Sequence, residues 1–118
     1  MNKRSIGKEK EALAARFLQR QGIKILEQNF SCKLGEIDLI GLDGEYLVFV
    51  EVKYRSKDTF GYPEESVSKK KRRKISLASD YYRFLKGYNT SVPVRYDVVS
   101  ILGNHIRWSR NAFYYDGL

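Results

Sequence analysis

The stretch Tyr46-Leu-Val-Phe-Val50 has no charged position on either side of a strand. Successive strand side chains point to opposite faces, so a run that is apolar at consecutive positions must be covered on both. That requirement sets the architecture: a central strand, with helices packed on both faces of its sheet. Asp43-Gly44 lies just upstream, between two strand-like runs, Glu36–Leu42 and Glu45–Lys53, and is a strong short hairpin signal.

The rest of the chain supplies the partners. Ile6, Leu13, Ala14, Phe17 and Leu18 fall on one helical face, predicting a helix over Gly7–Gln21 with Gly22 as its stop. Ile23–Lys33 reads as a strand. A polar loop is expected over residues 54–66, which include Gly61 and Pro63. A second helix then runs to about Lys86, capped by Ser66 or Ser68 and ended by Gly87. Pro93–Leu102 and His105–Trp108 read as two strands joined at Gly103-Asn104, and the aromatic tail Phe113–Tyr115 is expected to pack back on the body. The order α-β-β-β-α-β-β implies an α/β fold, a mixed central sheet flanked by helices, in one domain spanning residues 1–118.

Composition narrows the function. Lys and Arg number 22 against 14 Asp and Glu, a formal charge of +8 over 118 residues. Such an excess points to a polyanionic partner, nucleic acid before an anionic membrane. No segment approaches the roughly 20 apolar residues that span a bilayer, and the first residues hold no apolar signal core, so a cytoplasmic location is expected. Cys32 and His105 are each the only residue of their kind. They exclude an intramolecular disulfide, a Cys or His zinc cluster and a histidine-based triad; Cys32 reads as a buried small hydrophobe and His105 as a strand-edge residue.

The hairpin carries the candidate chemistry. A two-residue loop at Asp43-Gly44 pairs Leu42 with Glu45, Asp38 with Phe49 and Glu36 with Glu51. Asp38 and Glu51 then become diagonal neighbours on one face, with Cβ atoms up to about 7 Å apart, and Lys53 joins that face. Acids crowded on a covered sheet repel one another and lose hydration, costs that a divalent cation offsets. All the donors are oxygens, which suits Mg²⁺ or Mn²⁺ better than zinc. The competing reading is a cross-strand ion pair on a solvated rim.

Asp38 followed by Glu51-Val52-Lys53 resembles the D…ExK signature of the PD-(D/E)xK nuclease superfamily, which includes restriction endonucleases and archaeal Holliday-junction resolvases. Within it the chain is similar to the YraN-like family of small bacterial proteins. The likeness runs through Gly7-x-x-x-Glu11-x-x-Ala14, Gly35-Glu-Ile-Asp-Leu-Ile40, Val48-Phe-Val-Glu-Val-Lys53, Lys71-x-x-Lys74-Ile75, Arg95-Tyr-Asp-Val-Val99 and Asn111-Ala-Phe113, nearly the full length. It implies a restriction-endonuclease-like αβββαβ core. It also implies Asp38 and Glu51 as metal ligands, the Val52 carbonyl as a further ligand and Lys53 assisting the attacking water. Ile37 stands where the superfamily has proline. Helical periodicity alone barely separates Glu9 from Glu11 as a third acid; the family register selects Glu11.

Lys69-Lys-Lys-Arg-Arg-Lys74 places six cations in the first turns of the second helix, where the macrodipole disfavours them and a bound phosphate relieves the conflict. Lys69, Lys70, Lys71, Arg72, Arg73 and Lys74, with Arg55, are therefore the candidate nucleic-acid contacts. Lys71 leads the row Lys71, Ile75, Ala78, Tyr82, Leu85 and is expected to face the acids. Aromatic residues make up 14% of the chain; most are expected in the core, and some can stack on unpaired bases. Two functions fit: a Mg²⁺- or Mn²⁺-dependent nuclease acting on DNA, branched or damaged DNA included, or a non-catalytic nucleic-acid-binding or adaptor domain on the same fold. The completeness of Asp38, Glu51 and Lys53 favours the first. A membrane-docking role fits poorly, because the cations gather at one helix end instead of along a face. The sequence leaves a homodimer open.

Overall fold

The computed structural model describes residues 3–56 and 67–118. Its elements are α1 (Lys3–Arg20), β1 (Lys24–Cys32), β2 (Gly35–Asp43), β3 (Tyr46–Arg55), α2 (Lys69–Lys86), β4 (Val94–Leu102) and β5 (His105–Phe113). The strands form one sheet in the order β1-β2-β3-β4-β5. All neighbours are antiparallel except β3 and β4, which are joined through α2 and pair in parallel. The expected mixed α/β arrangement is therefore present, and it is consistent with a restriction-endonuclease-like core.

The doubly apolar β3 lies centrally, as its sequence requires. Val48 and Val50 pack with Leu39, Val99 and Ile101 against Ala14, Ala15 and Leu18 of α1. Leu47 and Phe49 pack on the opposite face with Tyr96 and Val98 against Ile75, Ala78 and Tyr82 of α2. Burying each such aliphatic or aromatic side chain contributes about 1.5–3 kcal/mol, and β3 collects that gain on both faces.

The caps match the expected chemistry. The Ser68 hydroxyl accepts from the Lys71 N–H (3.2 Å), and Gly87 closes α2 in the left-handed conformation at φ 73°. Ser66, the other candidate cap, and the expected loop from residue 57 onward lie outside the described residues. The α2 row ends at Tyr82, because Leu85 is exposed instead of buried. β5 runs five residues past the expected Trp108, to Phe113. Phe113 is buried, and residues 114–118 fold back along α2: Tyr115 Oη donates to Asp80 Oδ2 (2.6 Å) and the Asp116 N–H donates to Ser76 Oγ (2.9 Å).

The hairpin register departs from expectation by two residues. Asp43 pairs with Tyr46, Leu42 with Leu47, Ile40 with Phe49 and Leu39 with Val50, so the loop is Gly44-Glu45. Gly44 takes the first loop position at φ 59°, as a type II′ turn demands. Gly103-Asn104 follows the same glycine-first rule at the β4–β5 turn, with Leu102 paired to His105. Asp43 remains in its strand and pairs with Arg95 (2.9 Å). A shift of two keeps every side chain on its expected face, so only the pairings change.

Candidate functional site

The β2–β3 ladder ends at Leu39–Val50, and the next pair in register would be Asp38 and Glu51. Here the strands separate and side chains fill the gap. The Val52 N–H, freed from a partner on β2, donates to Asp38 Oδ2 (2.8 Å). The Asp38 and Glu51 side chains stand opposite each other and interact through their carboxylates. They are thus closer than the expected diagonal arrangement. Glu36 is the residue displaced by the register shift: it is exposed on the rim instead of standing opposite Glu51.

A local rotation of two strands makes this possible. Leu39 packs on the α1 side, yet Ile37 packs on the α2 side together with Phe30. Strict alternation would put Ile37 and Leu39 on one face. The face changes at Asp38, across from Asn29, which adopts φ 56° in the middle of β1. Asn is among the few residues that tolerate this left-handed conformation. Asp38 therefore sits where β2 turns over, with Glu11 approaching from α1 and Glu51 on the side of α2. Asn29 was not foreseen, although an Asn in a strand is itself an unusual choice.

Burial and like charge dominate the electrostatics. Desolvation raises the Asp38 pKa, the contact with Glu51 and the Val52 N–H oppose it, and the nearby Glu11 carboxylate raises it further. Glu51 is only 9% exposed. Its pKa is pushed up to about 7, first by desolvation and then by Asp38, against the pull of Lys71. Burial and like charge thus disfavour ionising both carboxylates at once. Lys71 Nζ stands 3.1 Å from Glu51 Oε2, as its place in the helical row predicted. Partial burial lowers the Lys71 pKa, while Glu51, Asp38 and Glu36 together more than offset this and raise it.

The remaining expected residues divide into those at this centre and those elsewhere. Glu11 reaches the site's edge from α1, and its Oε1 is buried without a hydrogen bond. Lys53 follows Glu51 on the same strand face, beside Ser100, whose buried Oγ has no hydrogen-bond partner. Val52 enters through its N–H. Among the described residues no three Asp, Glu, His or Cys side chains converge closely enough to hold an ion as they stand. Glu11 and Glu51 each approach Asp38, which is the common member.

The six cations of α2 do not act as one patch. Lys71 turns inward, Arg72 pairs with Asp116 (3.6 Å), and Arg73 donates to the Leu118 carbonyl (2.7 Å). Lys69, Lys70 and Lys74 are exposed, as is Arg55 at the end of β3. Gly35 lets β2 start directly under this helix: a β-carbon there would lie 3.0 Å from the Lys74 carbonyl oxygen. Lys10 donates to the Gly103 carbonyl (2.9 Å) and ties α1 to the β4–β5 turn. Asp97, fully buried on β4, accepts from Arg95 twice, from Trp108 Nε1 and from the Asn111 N–H, all at 2.9 Å.

A five-stranded mixed sheet between two helices, with an aspartate on one middle strand and Glu51-Val-Lys53 on the next, defines an α/β domain of the restriction-endonuclease-like class. The chain belongs to the UPF0102 (YraN-like) family: the family model described as "Uncharacterised protein family UPF0102" matches residues 10–101. A UPF0102 protein of Lachnoclostridium phytofermentans is 45% identical over 113 residues, covering 96% of each chain. UPF0102 proteins of Vibrio campbellii and Hahella chejuensis are each 46% identical, over 94% and 92% of this chain and 93% and 89% of their own. No helix among the described residues is long and apolar enough to cross a membrane.

Proposed function

We propose that this protein is a divalent-metal-dependent nuclease that hydrolyses phosphodiester bonds in DNA. The observation that carries the reading is the Asp38–Glu51 contact: a buried carboxylate, Glu51, and a half-buried one, Asp38, face each other from adjacent strands where the ladder opens, in a chain of net charge +8. A stability-only design would place a base opposite an acid. The donor set fits a hard cation, because it offers carboxylate oxygens, one of them the unpartnered Glu11 Oε1 beside Asp38. Asp38 and Glu51 would hold Mg²⁺ or Mn²⁺, with Glu11 and the Val52 carbonyl as further donors.

When bound, such an ion polarises the scissile phosphate and lowers the pKa of a coordinated water. The protein's own groups do the rest. Lys53 lies on the strand face of Glu51 and is placed to hold the attacking water. Lys71 is already within 3.1 Å of Glu51 and supplies an ammonium toward developing phosphate charge. The Val52 N–H fixes the Asp38 carboxylate. The exposed cations at the start of α2 hold the substrate backbone without reading its sequence.

The test is cleavage of linear duplex, single-stranded and four-way-junction DNA in Mg²⁺, Mn²⁺ or EDTA. Cleavage is expected in either metal and not in EDTA. Glu51→Gln should reduce it at least 100-fold while DNA binding persists, because most affinity comes from cations away from the acids. Wild-type protein that binds DNA but cuts none of these substrates would establish the non-catalytic binding domain instead.

A further inference from the structure

The opening at Asp38 continues along the first half of α1. Arg4, Gly7, Lys8, Glu11, Asn29 and Asp38 are among the residues lining a cleft of about 490 Å³. Arg4, Lys8 and Glu11 follow the i, i+4, i+7 spacing of one helical face, so two exposed cations stand over the same opening as the acids. They are on the helix opposite α2. Neither the basic run nor the acidic motif includes them.

Gly7 sharpens the point. It lies inside α1, where glycine is less stable than alanine, and a β-carbon built on it would meet no atom within 4 Å. Gly35 contrasts with it, since a β-carbon there would press on the backbone of α2. No neighbouring group therefore requires a glycine at position 7. What the missing side chain provides is bare backbone at the wall of the cleft, one helical turn from Glu11, where another backbone can approach closely.

The geometry points to a second nucleic-acid subsite in this cleft: the strand held at Asp38 and Glu51 continues along α1, its phosphates paired by Arg4 and Lys8 and its sugar–phosphate backbone closest at Gly7. The subsite rests on the nuclease reading for its ligand, and it extends the contact surface from α2 across the turned-over β2 to α1. The acids in the cleft repel phosphate, so the subsite fills best with a divalent cation present.

Fluorescence anisotropy of a labelled single-stranded oligonucleotide in Ca²⁺, with the probe verified intact by gel, tests it on three variants beside wild type. Arg4→Gln/Lys8→Gln should weaken binding at least tenfold near 0.1 M salt and reduce the salt slope by up to about 1.4, roughly 0.7 for each lost phosphate contact on a single strand. Gly7→Ala should weaken binding severalfold while its melting temperature stays level or rises by up to roughly 5 °C. Lys69→Ala/Lys70→Ala reports the α2 contacts independently. If only the α2 variant loses affinity, the α1 subsite is wrong and the nuclease reading stands. If wild type binds no oligonucleotide, the subsite is wrong, and the nuclease reading is decided by cleavage of duplex and junction DNA. A lower melting temperature for Gly7→Ala would assign the glycine to the fold and overturn the close-approach argument.

Discussion

Glu51 concentrates the conflict on which the site is built. Its folded pKa of about 7 lies above the ordinary 4.5, so the folded, metal-free protein holds a proton that the unfolded chain releases. That contribution to stability is fully present below about pH 4.5 and is lost as pH rises through about 7. Its size over that window is on the order of 3 kcal/mol. Glu51→Gln removes the titration, and Lys71, 51% exposed, can turn to solvent when its partner is neutral. In EDTA at pH 8 the variant is expected to be about 2 kcal/mol more stable than wild type, with the difference shrinking toward pH 4.5. Urea denaturation across that range checks this; a variant less stable at pH 8 would show that the ion pair with Lys71 outweighs the crowding by Asp38. Part of this was legible from residue types and spacing alone, because the hairpin parity puts Asp38 and Glu51 together for any even shift of register. Glu36 was misplaced for the same reason that Asp43 was. The ion pair holding Asp43 in its strand reaches Arg95, 52 positions away, and no local signal reports it.

Elements are legible in the sequence where a local rule governs them and not where a long-range contact does. β3 and α2 follow from apolar pattern, cap and stop. The far end of β5 is not legible locally, because its sequence alternates weakly and is broken by Asn111, which adopts φ 53°. What extends the strand is Asp97, whose carboxylate accepts the Asn111 N–H at the shifted register between Tyr96 and Val98. The same carboxylate binds Arg95 and Trp108, and the Trp108 ring meets Phe17 of α1 edge-on at 6.3 Å. One buried acid thus joins two strands to the helix that carries Glu11. Asp97→Asn removes the charge facing Arg95 and leaves donors without acceptors, which should cost about 3 kcal/mol. Chemical denaturation measures that loss, and a change below about 1 kcal/mol would mean that Arg95 is held by Asp43 alone.

Across the whole molecule, the acids gather where β2 turns over between the two helices, and the cations stand around them on α1 and α2. The charge excess was legible in composition, but its division was not. The tail's return to α2, which engages Arg72 and Arg73, depends on contacts about 45 residues apart in sequence. The turnover at Asn29 and Asp38 likewise arises from tertiary packing that drives Phe30 and Ile37 toward α2. On the proposed reading, a divalent cation completes the Asp38–Glu51 pair. Titration of metal-free protein with Mn²⁺, followed by calorimetry and by electron paramagnetic resonance of the free ion, tests that claim most directly. Wild type should take up Mn²⁺ at the Asp38–Glu51 pair, and Asp38→Asn and Glu51→Gln should each weaken it at least tenfold while remaining folded. Undiminished Mn²⁺ binding in both variants, or none in wild type, would contradict a metal site at this pair.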